Sequence, residues 1–167
     1  RAITTDLTYS ISRRAFFYWA SIWAALVTVV CGICTVAMLT VVRKRGPGAF
    51  LFWSRLWGRS IALGIGIRIR TELRSNYSDS TAYVFALNHQ VALDIPAAGT
   101  AIPLMFGWVA KAELGRVPFL GWAIKASPSV FVDRSQPRKS VESIHTAAEK
   151  IRGGVSVAIF PEGSRSY

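Results

Sequence analysis

The hydrophobic and polar positions divide the chain at about residue 66. Positions 15–42 contain no charged residue, and a helix that spans a bilayer needs about 20 apolar residues. Basic residues flank this run, Arg13-Arg14 before it and Arg43-Lys44-Arg45 after it. The larger positive charge downstream predicts that the downstream side is cytoplasmic. Two interpretations fit the run, a spanning helix and a bent hairpin that enters one leaflet with Gly32 at its middle.

A second helix is predicted over residues 49–67, after Gly46-Pro47-Gly48, which predicts a turn. Its apolar positions share one face, opposite Arg55 and Arg59, and they are Phe50, Trp53, Trp57 and Ile61. This helix either lies in the membrane interface with its arginines on lipid phosphates, or packs on the domain that follows.

The pattern changes from residue 67 onward. Residues 67–74 alternate between apolar or neutral and charged side chains, which predicts a half-buried strand. Further strands are predicted at 83–87, 102–109, 129–132 and 155–160, and helices at 94–99, 117–125 and Pro137–Arg152. Alternating strands and helices predict an α/β domain with a largely parallel sheet. We therefore expect membrane-anchoring helices over 1–66 and an α/β domain over 67–167. The last helix is expected to bury Val141, Ile144, Ala148 and Ile151.

Composition and charge narrow the class of partner. The chain has 167 residues, 51% of them hydrophobic, which excludes a disordered protein. Its formal net charge is +11, and most of that excess lies before residue 76, around the apolar run. This distribution indicates an anionic membrane surface as a partner and argues against nucleic acid. Cys31 and Cys34 lie inside the apolar run, where we expect packing residues and no metal site.

Two polar clusters follow predicted strands, one at 88–94 and the other at 160–166. Ligand crevices in open α/β sheets lie beyond the carboxyl ends of strands, so the two clusters are expected to face one crevice. His89 is suited to be a general base near neutral pH, because a histidine side chain has an unperturbed pKa of about 6.5. Asp94 is near enough in sequence to bond the other ring nitrogen. A purely structural role for this His-x4-Asp pair is the alternative.

The second cluster has the chemistry of a phosphate site. Gly163, Ser164 and Arg165 offer backbone N–H groups, a hydroxyl and a guanidinium, which together suit a phosphate. Glu162 adds a carboxylate, which either holds a substrate hydroxyl or orients Arg165.

Taken together, these residues resemble a known family. Asn88-His89, four residues and Asp94, together with Phe160-Pro161-Glu162-Gly163-Ser164-Arg165, resemble the glycerolipid acyltransferases. The stretch from Lys111 to Gly121 and the triplet Val132-Asp133-Arg134 are also similar to that family, and the nearest group is the 1-acylglycerol-3-phosphate (lysophosphatidic acid) acyltransferases. The motifs cover about half of the chain. A membrane-embedded N-terminal helical pair is a further family feature.

The resemblance implies acyl transfer from a thioester, either acyl-CoA or acyl carrier protein, to the sn-2 hydroxyl of lysophosphatidic acid, which gives phosphatidic acid. It implies no bound cofactor and no metal. His89 would be the base and Asp94 the residue that orients it. Candidates for the substrate phosphate and acceptor site are Lys111, Arg134, Glu162, Gly163, Ser164 and Arg165. Salt bridges from Lys111 to Glu113 and from Arg134 to Asp133 are the structural alternatives.

Several expectations remain open at this level. The family continues past the Glu-Gly-Ser-Arg motif into a further strand, so we expect the α/β domain to be incomplete at its C-terminus. Alternative acceptors are glycerol 3-phosphate, another lysophospholipid and a lyso-aminolipid. A non-catalytic basic membrane-binding module is the alternative from another class. The location expected is the inner or cytoplasmic membrane, or its equivalent, with the catalytic domain on the cytoplasmic side.

Overall fold

The computed structural model describes residues 2–41, 46–133, 135 and 137–163. Within these ranges a four-stranded sheet is formed by β1 (Val84–Ala86), β2 (Phe106–Lys111), β3 (Val130–Val132) and β4 (Ser156–Ile159). The spatial order is β1-β4-β2-β3, and every pairing is parallel. The predicted α/β class with a largely parallel sheet is confirmed.

Five α-helices accompany the sheet in the described ranges: α1 (Ala2–Val41), α2 (Gly46–Gly64), α3 (Asp94–Ala101), α4 (Leu120–Ala126) and α5 (Pro137–Arg152). A short 3-10 helix, Ala112–Arg116, follows β2. Connections between parallel strands are right-handed, and the β3–β4 connection runs back across the sheet. This topology puts α3 and α4 on one face of the sheet and α5 on the other.

The core lies between the sheet and α3. Phe106 and Ala158 are fully buried in neighbouring strands, and Ala98 and Ile102 pack on them from α3 and its end. The helix α2 then packs on α3, so α3 is covered on both sides. Arg55 of α2 donates to the Pro103 carbonyl at 3.1 Å. Of the two interpretations for this helix, packing on the α/β domain is the one observed.

The long helix α1 lies along α2. Trp19 donates to the Gly64 carbonyl and Trp23 to the Ser60 carbonyl, each at 2.8 Å, and Trp57 donates to Thr28 at 3.0 Å. Later residues of α1 therefore meet earlier residues of α2, so the two helices run antiparallel. Within α1, Ser12–Met38 is long and apolar enough to cross a membrane, judged by length and composition. The helix continues through Gly32 without a break, so positions 15–41 form one helix and no hairpin.

Some predicted elements differ from the observed ones. Residues 67–74 form no strand and are mostly exposed, and within the described ranges β1 pairs only with β4. The predicted turn at Gly46 is instead the start of α2. The strand predicted from residue 102 begins at Phe106, because Ile102 caps α3 and Pro103 follows it. The helix predicted from 117 begins at Leu120.

The buried face of α5 differs in part from the prediction. Val141 and Ile144 are exposed, Ala148 and Ile151 are half-buried, and Ala147 is buried. Lys150 donates to the carbonyls of Pro128 and Ser129 at 2.9 and 3.1 Å, which turns that side of α5 toward the sheet. Hydrophobic periodicity predicts that Lys150 faces solvent. It faces the sheet instead, because its ammonium group bonds two backbone carbonyls just before β3.

The close crossing of α2 and α3 depends on Gly58. A Cβ at this position would collide with the Pro96 carbonyl and the Thr100 hydroxyl. We expect Gly58→Ala to lower the free energy of unfolding by about 1–3 kcal/mol, because the two helices must move apart. The exposed neighbour Arg59→Ala should change it by less than about 0.5 kcal/mol. Denaturant unfolding in detergent measures both, and equal midpoints would contradict this tight contact.

Candidate active site

The parallel register brings the ends of three neighbouring strands to the same level. Ala86 of β1 pairs with Ile159 of β4, so His89 lies level with Glu162. Trp108 of β2 pairs with Ala158, so Lys111 lies level with Pro161 on the other side of β4. Adjacent strands are about 4.8 Å apart. His89, the described part of the second cluster (160–163) and Lys111 therefore share one edge of the sheet, as the sequence predicts for the two clusters.

The His89 imidazole and the Asp94 carboxylate are in direct contact. His89 Nδ1 lies 3.1 Å from Asp94 Oδ2, and the two side chains are 17% and 26% exposed. The same carboxylate oxygen accepts the backbone N–H groups of Gln90 at 2.6 Å and Val91 at 2.8 Å. With Nδ1 donating to the carboxylate, Nε2 is the ring nitrogen that can accept a proton. The contact between Asp94 and the His89 ring that the sequence predicts is therefore formed, and the roles of base and orienter stay a prediction.

Aromatic rings support the imidazole from the sheet side. The His89 ring is stacked on Phe160 with centroids 4.3 Å apart, and Phe160 is stacked on Trp108 at 6.0 Å. Trp108 in turn meets Phe106 of the core edge-on at 5.0 Å. The sequence pattern predicts no role for the rings of Phe160 and Trp108. The available signal was the position of Phe160, which ends the strand that leads into the second cluster.

Glu162 contacts the other cluster directly. Its Oε2 accepts the His89 backbone N–H at 3.3 Å, so one carboxylate joins the loops that follow β1 and β4. The β4 loop turns at once, because the Gly163 N–H donates to the Phe160 carbonyl at 3.0 Å. Gly163 has a φ of 70°, a conformation that favours glycine. The sequence predicts that Glu162 either holds a substrate hydroxyl or orients Arg165. The structure adds a hydrogen bond from the His89 backbone N–H to this carboxylate.

The other predicted residues divide into two groups. Lys111 Nζ lies 3.2 Å from Glu113 Oε1, and both side chains are more than half exposed. The salt-bridge alternative for Lys111 is therefore formed, while its ammonium stays open to solvent. Arg134, Ser164 and Arg165 lie outside the described residues. Asp133, the expected partner of Arg134, is 3.4 Å from Lys139.

The surroundings of Asp94 lower the pKa of its carboxyl below the ordinary value. Partial burial acts to raise this pKa, and the hydrogen bonds from Val91, His89 and Gln90 together outweigh that effect. Ionised Asp94 thus stabilises the loop that carries His89.

This shift predicts a pH dependence of stability. Because the pKa of Asp94 is lower in the folded than in the unfolded chain, its ionised form contributes stability above about pH 3.9. That contribution is lost as the pH falls through the folded-state pKa. We expect Asp94→Asn to be less stable than the native chain at neutral pH, with a difference that shrinks below about pH 4. Denaturant unfolding over a pH series measures the difference, and Asp79→Asn, which alters an exposed turn, is the control. A difference that is constant down to acid pH would contradict the assignment.

Comparison with known proteins places the site in a family context. The sequence profile named Acyltransferase matches residues 68–167. The 1-acyl-sn-glycerol-3-phosphate acyltransferase of Saccharomyces cerevisiae is 28% identical over 161 residues, which cover 95% of this chain and 53% of that protein. The lyso-ornithine lipid O-acyltransferase of Rhizobium meliloti is 28% identical over 112 residues, which cover 67% of this chain and 37% of that protein. The chain thus spans about half the length, or less, of these curated relatives.

A solved structure shares the fold. The crystal structure of the 1-acyl-sn-glycerophosphate (LPA) acyltransferase PlsC from Thermotoga maritima matches with a TM-score of 0.78 and 24% sequence identity. The match covers 94% of this chain and 63% of that chain, so it includes the N-terminal helices as well as the sheet. The profile match covers more than half of the chain and contains the sheet, the His89–Asp94 pair and the Glu162 loop. The chain belongs to the Acyltransferase family.

Proposed function

We propose that this chain is the membrane-attached part of an enzyme that moves a fatty acyl group from a thioester to the sn-2 hydroxyl of lysophosphatidic acid, giving phosphatidic acid. The observation that carries the proposal is the contact between His89 Nδ1 and Asp94 at 3.1 Å, at the strand edge where Glu162 and Lys111 also lie. A histidine held in this tautomer can act as a general base on the acceptor hydroxyl, and the proposed reaction is direct transfer between two bound substrates.

In the proposed mechanism His89 first accepts a proton and later donates it. Nε2 takes the proton of the acceptor hydroxyl while its oxygen attacks the thioester carbonyl carbon. Asp94 stabilises the imidazolium that forms. The tetrahedral intermediate then collapses, the carbon–sulfur bond breaks, and the departing thiolate receives the proton from Nε2. The ester and the free thiol of coenzyme A or of acyl carrier protein are the products.

The acceptor phosphate is assigned to the basic residues at the same edge. Lys111 ends β2 one strand away from the Glu162 loop, and its side chain is 58% exposed, so a phosphate can reach it. Arg134 and Arg165, with Ser164, follow β3 and β4 in the chain and complete the proposed anion site. Glu162 and Gly163 shape the acceptor side, where Glu162 also holds the His89 loop.

The N-terminal helices would keep this site at the lipid surface. Outward residues of α1 are large and apolar, and they include Phe16, Trp19, Ile22, Leu26, Val30 and Ile33. Because the opposite side of α1 packs on α2, which itself packs on α3, we propose that α1 lies against one leaflet with the catalytic site close to the headgroups. A poorly soluble acceptor then reaches the site by moving within the membrane. The cytoplasmic side is the proposed location of the domain.

The two histidines provide a matched test of the base. We expect His89→Ala to lower kcat by about 10²- to 10⁴-fold, because removal of a general base has effects of this size. His145→Ala removes an exposed histidine on α5 and should retain native turnover. Radiolabelled acyl thioester and lysophosphatidic acid supplied to the full-length protein in detergent or lipid give the rates.

Each result of that assay decides between classes. Equal product from native protein and His89→Ala would remove His89 from catalysis. No product with any acceptor, together with intact membrane attachment, would favour the non-catalytic membrane-binding module. Product only with another acceptor would keep the mechanism and change the substrate. The Rhizobium meliloti relative, which by its name acts on a lyso-ornithine lipid, makes such lyso-aminolipids the first alternatives to supply.

The ion pair of Lys111 separates a phosphate contact from a structural one. If Lys111 binds the acceptor phosphate, Lys111→Met should raise the KM for lysophosphatidic acid by roughly 10- to 100-fold, as expected for a lost hydrogen bond to a charged group. Glu113→Gln breaks the same 3.2 Å ion pair and should leave that KM nearly unchanged. Equal effects of the two variants would assign Lys111 to the salt bridge alone.

A further inference from the structure

The helix α4 belongs to the α/β part of the chain, yet it presents a large apolar side chain to solvent. Trp122 is 50% exposed, and Val117, just before the helix, is 41% exposed. These two exposed side chains lie close to α1, because α4 packs against that apolar helix. Trp122 is thus an exposed aromatic residue beside the helix whose outer face is apolar along its length.

The joint between α4 and α1 is unusually close. A Cβ on Gly32 of α1 would lie 3.0 Å from both Cβ and the carbonyl oxygen of Phe119, so the two backbones touch there. The Phe119 ring meets the Trp122 ring edge-on at 4.9 Å. On α1, Ile33 follows Gly32 and is 48% exposed. Exposed apolar side chains therefore stand on both helices near this contact, Ile33 on α1 and Trp122 on α4.

Backbone strain is concentrated at the same joint. Phe119 has φ 63° and ψ −52°, and the Leu120 N–H donates to the Pro118 carbonyl at 2.7 Å. These values define a γ-turn with positive φ, the rare and strained form. Phe119 is the only non-glycine residue with positive φ in the described chain. Such strain persists only where surrounding contacts hold it, and here they hold Phe119 against α1.

Basic residues border the apolar patch. Arg116 ends the 3-10 helix, Lys125 stands one turn after Trp122 on α4, and both are exposed. Lys125 lies beside the 3-10 helix that Arg116 ends, because a Cβ on Gly115 would be 3.6 Å from Lys125 Cε. An exposed tryptophan with basic residues nearby is typical of protein surfaces at the membrane interface. Tryptophan there lies at headgroup level, and basic side chains bind anionic lipid.

We propose that α4 is a second membrane contact: Trp122 enters the headgroup region of an anionic bilayer beside α1, and Arg116 and Lys125 bind lipid headgroups. The occupant is a bilayer because α4 packs on α1, both helices expose apolar side chains, and the neighbouring charges are opposite to that of anionic lipid. The Phe119 joint fixes α4 to α1, so the catalytic domain meets the membrane in one orientation. This contact is independent of acyl transfer, since its test requires no turnover.

Fluorescent labels at two exposed apolar positions test the contact. Trp122→Cys on α4 and Ile144→Cys on α5, which is 59% exposed on the opposite face of the sheet, are each made in a Cys31→Ala, Cys34→Ala background. Each protein carries an environment-sensitive dye and is transferred from detergent to vesicles of phosphatidylcholine and phosphatidylglycerol. Phosphatidylcholine with a quencher near the headgroup is included. We expect a blue shift and quenching at 122 and neither at 144.

Several outcomes would overturn the proposal. A dye at 122 that stays in water on vesicle-bound protein, or equal quenching at both positions, contradicts a specific contact by α4. A blue shift that precedes vesicle addition and depends on protein concentration assigns the patch to self-association. Matching thermal unfolding of the two labelled proteins shows that neither variant has lost the fold.

A second pair of variants tests the charges. In the native background, Arg116→Gln with Lys125→Gln should weaken partitioning onto phosphatidylglycerol vesicles by about fivefold per charge removed. Arg138→Gln with Arg152→Gln removes two exposed charges from α5 and should have a clearly smaller effect. Equal losses would mean that only net charge matters and would overturn the headgroup contact at Arg116 and Lys125.

Discussion

The site depends on one constraint, the shared direction and register of the strands. Parallel strands place all their carboxyl ends at one edge, and the pairing of β1 with β4 then sets His89 level with Glu162. The pairing of β2 with β4 adds Lys111 on the far side. Residues far apart in the chain meet because short strands fix their levels, and the loops that carry them need only a few residues.

Asp94 fixes the tautomer and the orientation of the His89 imidazole. Its Oδ2 atom accepts three donors from the loop, His89 Nδ1 and the N–H groups of Gln90 and Val91. Burial of a carboxylate costs free energy, and these three hydrogen bonds more than offset that cost, so the group stays ionised. Phe160 covers one face of the ring, and the Glu162 carboxylate holds the backbone beneath it. These contacts together fix the tautomer of the His89 ring, its orientation and its position relative to the sheet.

The N-terminal helices are part of the same packed unit. The helix α1 is bound to α2 through the indoles of Trp19, Trp23 and Trp57, and α2 lies on α3, whose first residue is Asp94. The apolar outer face of α1 and the loop of His89 are thus connected through two helix–helix contacts. If the proposed function holds, this connection sets the distance between the lipid surface and the His89–Asp94 pair.

Much of the α/β pattern was present in the sequence. The helix Pro137–Arg152, the parallel class and the proximity of His89 to Asp94 follow from local signals, namely a proline start, alternating elements and a short spacing. The strand predicted at residues 67–74 is absent, because alternation alone cannot show whether a segment pairs with a neighbouring strand. The sequence misassigned part of the buried face of α5, because hydrophobicity cannot show that Lys150 bonds the Pro128 carbonyl. By itself the sequence determined which residue types stand at the strand ends. Only the tertiary structure decided that Phe160 stacks on His89, that Glu162 holds the His89 backbone and that Phe119 joins α4 to α1, because these contacts depend on distances between segments remote in the chain.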